Sequence, residues 1–229
     1  MYLSSAAAAA AAAASQARNS AIALAFGLGA GVGTGVGVGV GVGVGVGAGR
    51  SRGRNAGRDA GRCPTLGQVT SLPAGCQPLD DLFVVFDGVI DGDVILDGLP
   101  GTCYGSLDVL AIAGDFQVTG NPNLQKLVFP NLEYVWGSVL IVNNPMLGVN
   151  PPEDPVAVNL DCLDEVWENV FVQSNPGLTE LVFPWLFNVE RSVSVESMPG
   201  LVNLSFPTLE TVGLHFMLNS LPALTTLST

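Results

Sequence analysis

Six prolines, Pro100, Pro122, Pro145, Pro176, Pro199 and Pro222, recur at spacings of 22, 23, 31, 23 and 23 residues. A fixed period in the twenties constrains a chain strongly, because a unit that short cannot bury its own apolar face and must stack on its neighbours. Around the prolines the units follow one template, V-x-G-x-Φ-x-Φ-x-x-N-P-x-L-x-x-L-x-F-P-x-L-x-x-V, with Φ apolar. It is plainest in "GNPNLQKLVFPNLEYV" (120–135), "SNPGLTELVFPWLFNV" (174–189) and "SMPGLVNLSFPTLETV" (197–212). The step of 31 is the same unit with about eight residues inserted, and "GVNPPEDPV" (148–156) has the proline and acid content of a surface loop.

Each template position has a physical job. The Φ-x-Φ pairs, such as Phe116 and Val118 or Val170 and Val172, alternate with period two as a half-buried strand does, and one pair per unit makes the strands parallel. Pro fixes φ in the turn that follows, and Asn121, Asn144 and Asn175 stand before it to bond neighbouring backbone. The later Leu, Phe and Val columns point into the coil. About seven apolar side chains per unit, at ~1.5–3 kcal/mol each when buried, offset the entropy of ordering it. The pattern predicts an all-β parallel solenoid of about six rungs over 90–229, sealed by an N-terminal cap at 63–89. The last unit, "GLHFMLNSLPALTTLST", stops at the slot that elsewhere precedes FP, with no polar cap after it. We therefore expect a chain truncated at its C-terminal end, with Phe216, Leu218, Leu221 and Leu224 poorly covered.

Charge divides the chain sharply. Residues 1–62 are a low-complexity leader of poly-Ala, Gly-Val repeats and an Arg-rich run, with six Arg against one acid, whereas 63–229 carry two bases, Lys126 and Arg191, against nineteen acids. So acidic a domain is excluded from nucleic-acid binding, which needs Lys and Arg to displace phosphate counterions. The uncharged run 21–49 is long enough to span a bilayer, but alternate Gly makes it a poor helix. Anchored there, the basic cluster Arg50–Arg62 would also leave the domain in the cytoplasm. A disordered leader, a secretory signal with small-residue cleavage sites, and a membrane anchor remain the three readings of 1–62.

The repeated unit resembles the receptor L domain, a relative of leucine-rich repeats found in ectodomains of insulin and epidermal growth factor receptors, fungal cell-wall glycoproteins and protist surface proteins. The resemblance covers about 63–229. It implies a right-handed β-helical solenoid outside the cell, or at its surface, that binds or supports rather than catalyses, with a Cys pair near the N-terminal end. Cys63, Cys76 and Cys103 lie in that region. We expect one disulfide among them, either Cys63–Cys76 or Cys76–Cys103, because a cap must seal an open coil there. Cys162, in a different column from Cys103 and rungs away, is expected to stay free. On this resemblance we do not expect the Cys-rich module, membrane helix or lipid-anchor tail that usually follows such a domain within these residues, and receptor status is not implied.

No catalytic set, metal site or cofactor is read from the chain. His215, the lone His, falls in one column with Ser192 and Asn169, but no orienting acid or oxyanion donor stands beside it. Asp87, Asp91, Asp93 and Asp97 in "FDGVIDGDVILDG" lack calcium-loop spacing and read as a solvated edge. Asn203 heads the one N-x-S/T sequon, in a slot shared with Lys126 and Glu180 that reads as polar and exposed, hence a glycosylation site in a secreted chain. Trp136 and Trp167 share a column and are expected to stack. On the outward face of the strands, the middle column is Ile95, Gln117, Leu140, Phe171, Ser194 and Met217, and the next is Asp97, Thr119, Val142, Gln173, Glu196 and Asn219. Leu140, Val142 and Phe171, flanked by Trp136 and Trp167 and rimmed by Asp115, Asn169 and Glu196, form the expected surface for a protein or glycan ligand. A structural wall or matrix component without a ligand is the first rival, and a β-helix enzyme the remote one.

Overall fold

The computed structural model describes residue 63 and residues 67–79, 83–149 and 156–229. The leader 1–62, with its candidate span 21–49, and the tip of the 148–156 insertion lie outside the described residues. Those described form no helix, and none therefore crosses a membrane as one; every regular element is a strand.

The strands stack as a parallel β-solenoid with three faces. The broad face is a six-stranded sheet of Val94–Asp97, Phe116–Thr119, Val139–Val142, Val170–Gln173, Ser192–Glu196 and His215–Asn219, which open rungs one to six in turn. Val94, Phe116, Val139, Val170, Val193 and Phe216 are successive register partners, so the step from strand to strand is 22, 23, 31, 23 and 23 residues. That is the spacing of the prolines. A second face carries six short parallel strands, closed at its start by an antiparallel hairpin, Val85–Phe86 with Val89–Ile90. Asp87 and Gly88 turn that hairpin with φ of 49° and 81°, the mirror-image turn that Asp-Gly favours. Three of the four acids of "FDGVIDGDVILDG" thus have local roles: Asp87 in this turn, Asp93 accepting the Asp115 amide at 3.0 Å, and Asp97 accepting the Thr119 hydroxyl at 3.0 Å.

The core is the inside of the coil. Val94 and Leu96 are buried while Ile95 and Asp97 are exposed, and the same alternation recurs through rung four. Phe183 stacks on Phe206 with ring centroids 5.3 Å apart, and Phe206 meets Phe216 edge-on at 5.7 Å. Rung three interrupts the Phe-Pro corner with Leu160 and Asp161. In rung six Phe216 and Leu227 are exposed, while Leu218, Leu221 and Leu224 are partly buried against the core.

The third face is split. Gln77–Pro78, Cys103–Gly105, Lys126–Val128 and Val158–Asn159 form one sheet, and Glu180–Val182, Asn203–Ser205 and Thr226–Ser228 another. The break falls after the rung that carries the insertion.

The N-terminal residues correct one expectation. They are not only a lid but a strap running across rungs. Cys63 is bonded to Cys162 in rung three, Gly67 N donates to Asn131 Oδ1 in rung two at 3.0 Å, and Gln77–Pro78 pairs with Tyr104–Gly105 in rung one. Cys76 is bonded to Cys103, one of the two pairings expected, whereas Cys162 is not free. Column and rung distance ruled out Cys103 as its partner but say nothing about a strap that crosses rungs. Gly105 lets the strap approach: a Cβ there would fall on the Val128 carbonyl and 3.0 Å from Leu72 Cδ2.

Candidate functional site

The broad sheet brings the candidate residues together. Leu140 and Phe171 are direct partners, and Val142 lies opposite Gln173 in the adjoining column. All three side chains are half-buried, with Gln117 and Thr119 flanking them on rung two and Ser194 and Glu196 on rung five. The apolar patch is therefore confined to rungs three and four. Ile95 and Met217 hold the ends of the middle column, 52% and 42% exposed.

Trp136 and Trp167 sit on the corner that leads into the same two strands, ring centroids 5.8 Å apart and tilted by 32°. Both are half-exposed, and each sits three residues before the first residue of one of the two patch strands, Val139 and Val170, so the corner and the patch lie side by side. The indole Nε1 of Trp136 is buried without a hydrogen-bond partner.

Polar side chains around the patch are tied down by one another. Asp115 accepts from Ser138 N at 2.7 Å and from Gln117 Nε2 at 3.2 Å. Ser138 Oγ donates to Glu168 Oε2 at 3.2 Å and accepts from Asn169 at 3.4 Å. Ser194 Oγ donates to Glu196 Oε1 at 2.6 Å, and Ser194, placed outward by alternation, is buried. Such bonding holds the rim in one arrangement before any partner arrives. Ser138 and Glu168 were not singled out in the sequence, because Glu168 occupies a column that is Gly114 and Gly137 in the two preceding rungs.

The remaining candidates stand apart from this face. Asn203 lies on the third face, half-exposed, donating from Nδ2 to Glu180 Oε1 at 2.6 Å. Its column is not uniformly exposed as expected: Lys126 is fully buried on rung two, while Glu180 is exposed. Ser192 and His215 are register partners, but Ser192 is buried and His215 exposed. Among the described residues no three His, Cys, Asp or Glu side chains converge as metal ligands would. Comparison of the chain with models of known protein families, with curated proteins and with solved structures finds no match.

Proposed function

We propose that residues 63–229 are a non-enzymatic recognition domain of receptor L type, acting outside the cell or at its surface and binding a protein or glycan through the broad sheet. One observation carries this reading: Leu140 and Phe171 face each other, half-exposed, at the centre of a sheet face whose neighbouring rungs present Gln117, Thr119 and Glu196. An apolar centre with a polar, pre-bonded rim is the usual anatomy of a binding surface, and an aromatic is its usual anchor. Phe171 is that anchor, with Val142 beside it and Trp136 and Trp167 at the flank. Two disulfides in a chain of this size suit an oxidising compartment.

A structural wall or matrix component is the second reading, favoured by Ile95 and Met217, which expose apolar surface on the same column away from the patch. Binding of labelled protein to intact cells of the source organism separates the two. Recognition requires saturable binding that Phe171→Ser and Leu140→Ser each weaken while their thermal melts stay cooperative. Binding that never saturates supports the structural reading, and saturable binding unchanged in both variants removes this face as the site.

A further inference from the structure

We propose that the broad sheet takes a basic protein segment, with an apolar side chain seated on Leu140 and Phe171 and a lysine or arginine about three residues to either side. The inference rests on the broad-sheet reading and narrows its partner to one chemistry. Asp97, Val142 and Glu196 stand in one outward column, on rungs one, three and five, linked through their register partners Thr119 and Gln173. With strands ~4.8 Å apart, each acidic position lies about 10 Å from Val142 along the solenoid axis. An extended chain covers that distance in about three residues at ~3.3 Å each. An anchor over the patch therefore brings its flanking bases to Asp97 and Glu196. Asp115, immediately before the rung-two strand, adds a third carboxylate at the leading side of the patch.

The partners of these carboxylates hold them in place without neutralising them. Asp97 accepts from the Thr119 hydroxyl at 3.0 Å, Glu196 from Ser194 Oγ at 2.6 Å, and Asp115 from Ser138 N and Gln117 Nε2, all neutral donors. The outward columns of the sheet hold no Lys or Arg. Arg191 stands outside them, in the column of Glu168, whose carbonyl its amide reaches at 3.1 Å, and His215 lies at the far end on rung six. This charge selects among occupants. A second copy would set the same carboxylates against these, and like charges brought together cost free energy. An acidic glycan is repelled in the same way, and a neutral glycan leaves the charge uncompensated. A basic segment with an apolar anchor gains from both the patch and its rim. The domain around the sheet, with nineteen acids against two bases, draws such a partner in over long range.

Methyl NMR of the full 1–229 chain tests the partner through the Leu140 and Val142 signals. The lead probe is the blocked peptide Arg-Ser-Thr-Leu-Ser-Thr-Arg. One control replaces both arginines by neutral citrulline, a second replaces the leucine by alanine, and a deacetylated chito-oligosaccharide stands for a cationic glycan. We expect both signals to titrate with the lead peptide, and binding to weaken about tenfold with citrulline or in ~0.5 M salt, which screens charges beyond a few ångströms. Asp97→Asn and Glu196→Gln keep the oxygens that accept from Thr119 and Ser194, and each should weaken binding about threefold, as the loss of one exposed ion pair does. The Leu204 methyl signals should stay unmoved as a check on folding. No titration with the lead peptide, equal binding of the citrulline or alanine control, affinity unchanged in both acid variants, or a response to the chito-oligosaccharide alone would overturn the proposal. Binding to intact cells separates this failure from that of the sheet itself. Should Phe171→Ser weaken cell binding while Asp97→Asn combined with Glu196→Gln leaves it intact, the sheet stands and the basic partner falls; binding unchanged by Phe171→Ser and Leu140→Ser removes both.

Discussion

The side-chain oxygen of Asn144 accepts both the main-chain amide of Asn121, at 3.1 Å, and its Nδ2, at 2.9 Å. Asn144 repeats the arrangement one rung on, its own N and Nδ2 reaching Asn175 Oδ1 at 2.9 and 3.1 Å. All three residues are fully buried. The ladder starts at Leu99 N, bonded to Asn121 Oδ1 at 2.8 Å, and ends on the sulfur of Met198, 3.3 Å from Asn175 N. It ties together rungs one to five down one interior corner. Asn144→Ala removes the acceptor for both Asn121 donors and the donor to Val118 O. With each orphaned buried group costing ~1–3 kcal/mol, we expect a loss of about 3–5 kcal/mol in denaturant unfolding. A loss below 1 kcal/mol would show that the ladder is not holding the rungs.

That ladder was legible as a column of Asn before Pro, and so were the strands, because one Φ-x-Φ pair per unit fixes register without any knowledge of partners. Leu140 opposite Phe171 follows from counting alone. What lies between rungs did not follow. Lys126 shares its slot with exposed Glu180, and alternation cannot say what packs over it. The pairing of Cys162 depends on a non-repeating strap, which has no column. The split of the third face comes from an insertion whose return path has no template. Ser138 and Glu168 meet across rungs two and three only because one turn replaces Gly with Glu.

One legible signal concerns the residue just after each broad-sheet strand. Gly98, Gly120, Asn143, Ser174, Ser197 and Ser220 all have φ between 53° and 61°. Gly, Asn and small polar residues tolerate that left-handed conformation and β-branched ones resist it. Ser174→Val should therefore cost about 1–2 kcal/mol, whereas Ser174→Gly should lie within about 1 kcal/mol of the parent. Thermal melts of the two variants check this, and equal melting temperatures would contradict it.

The disulfides close loops of very different length. Cys63 and Cys162 are 99 residues apart, Cys76 and Cys103 only 27. On the chain-entropy model, breaking the long one by Cys63→Ser with Cys162→Ser should cost about 5 kcal/mol, and breaking the short one about 3.5 kcal/mol. Peptide mapping without reduction should recover both pairings, and a Cys103–Cys162 peptide would overturn the register itself.

Asn203 offers a test of the extracellular reading that leaves the broad sheet untouched. Asn203 and Ser205 lie two apart on one strand, so their side chains share a face, and both are half-exposed. Of the two hydrogens on Asn203 Nδ2, one is engaged by Glu180 Oε1. The other is open to replacement by a sugar, so a glycan and the Glu180 bond are compatible. The neighbouring Glu180 and Thr226, register partners of Asn203 on either side, are exposed and leave room for it. Expressed behind a cleavable signal peptide in a eukaryotic cell, the chain should gain one N-linked glycan, seen as a mobility shift removed by peptide N-glycosidase. Asn203→Gln and Ser205→Ala should each abolish the shift, and Ser205→Thr should keep it. The glycan would project from the third face, leaving Leu140 and Phe171 open, so binding through the broad sheet should be unchanged by its removal. Secreted, disulfide-bonded protein without the shift would rule Asn203 out.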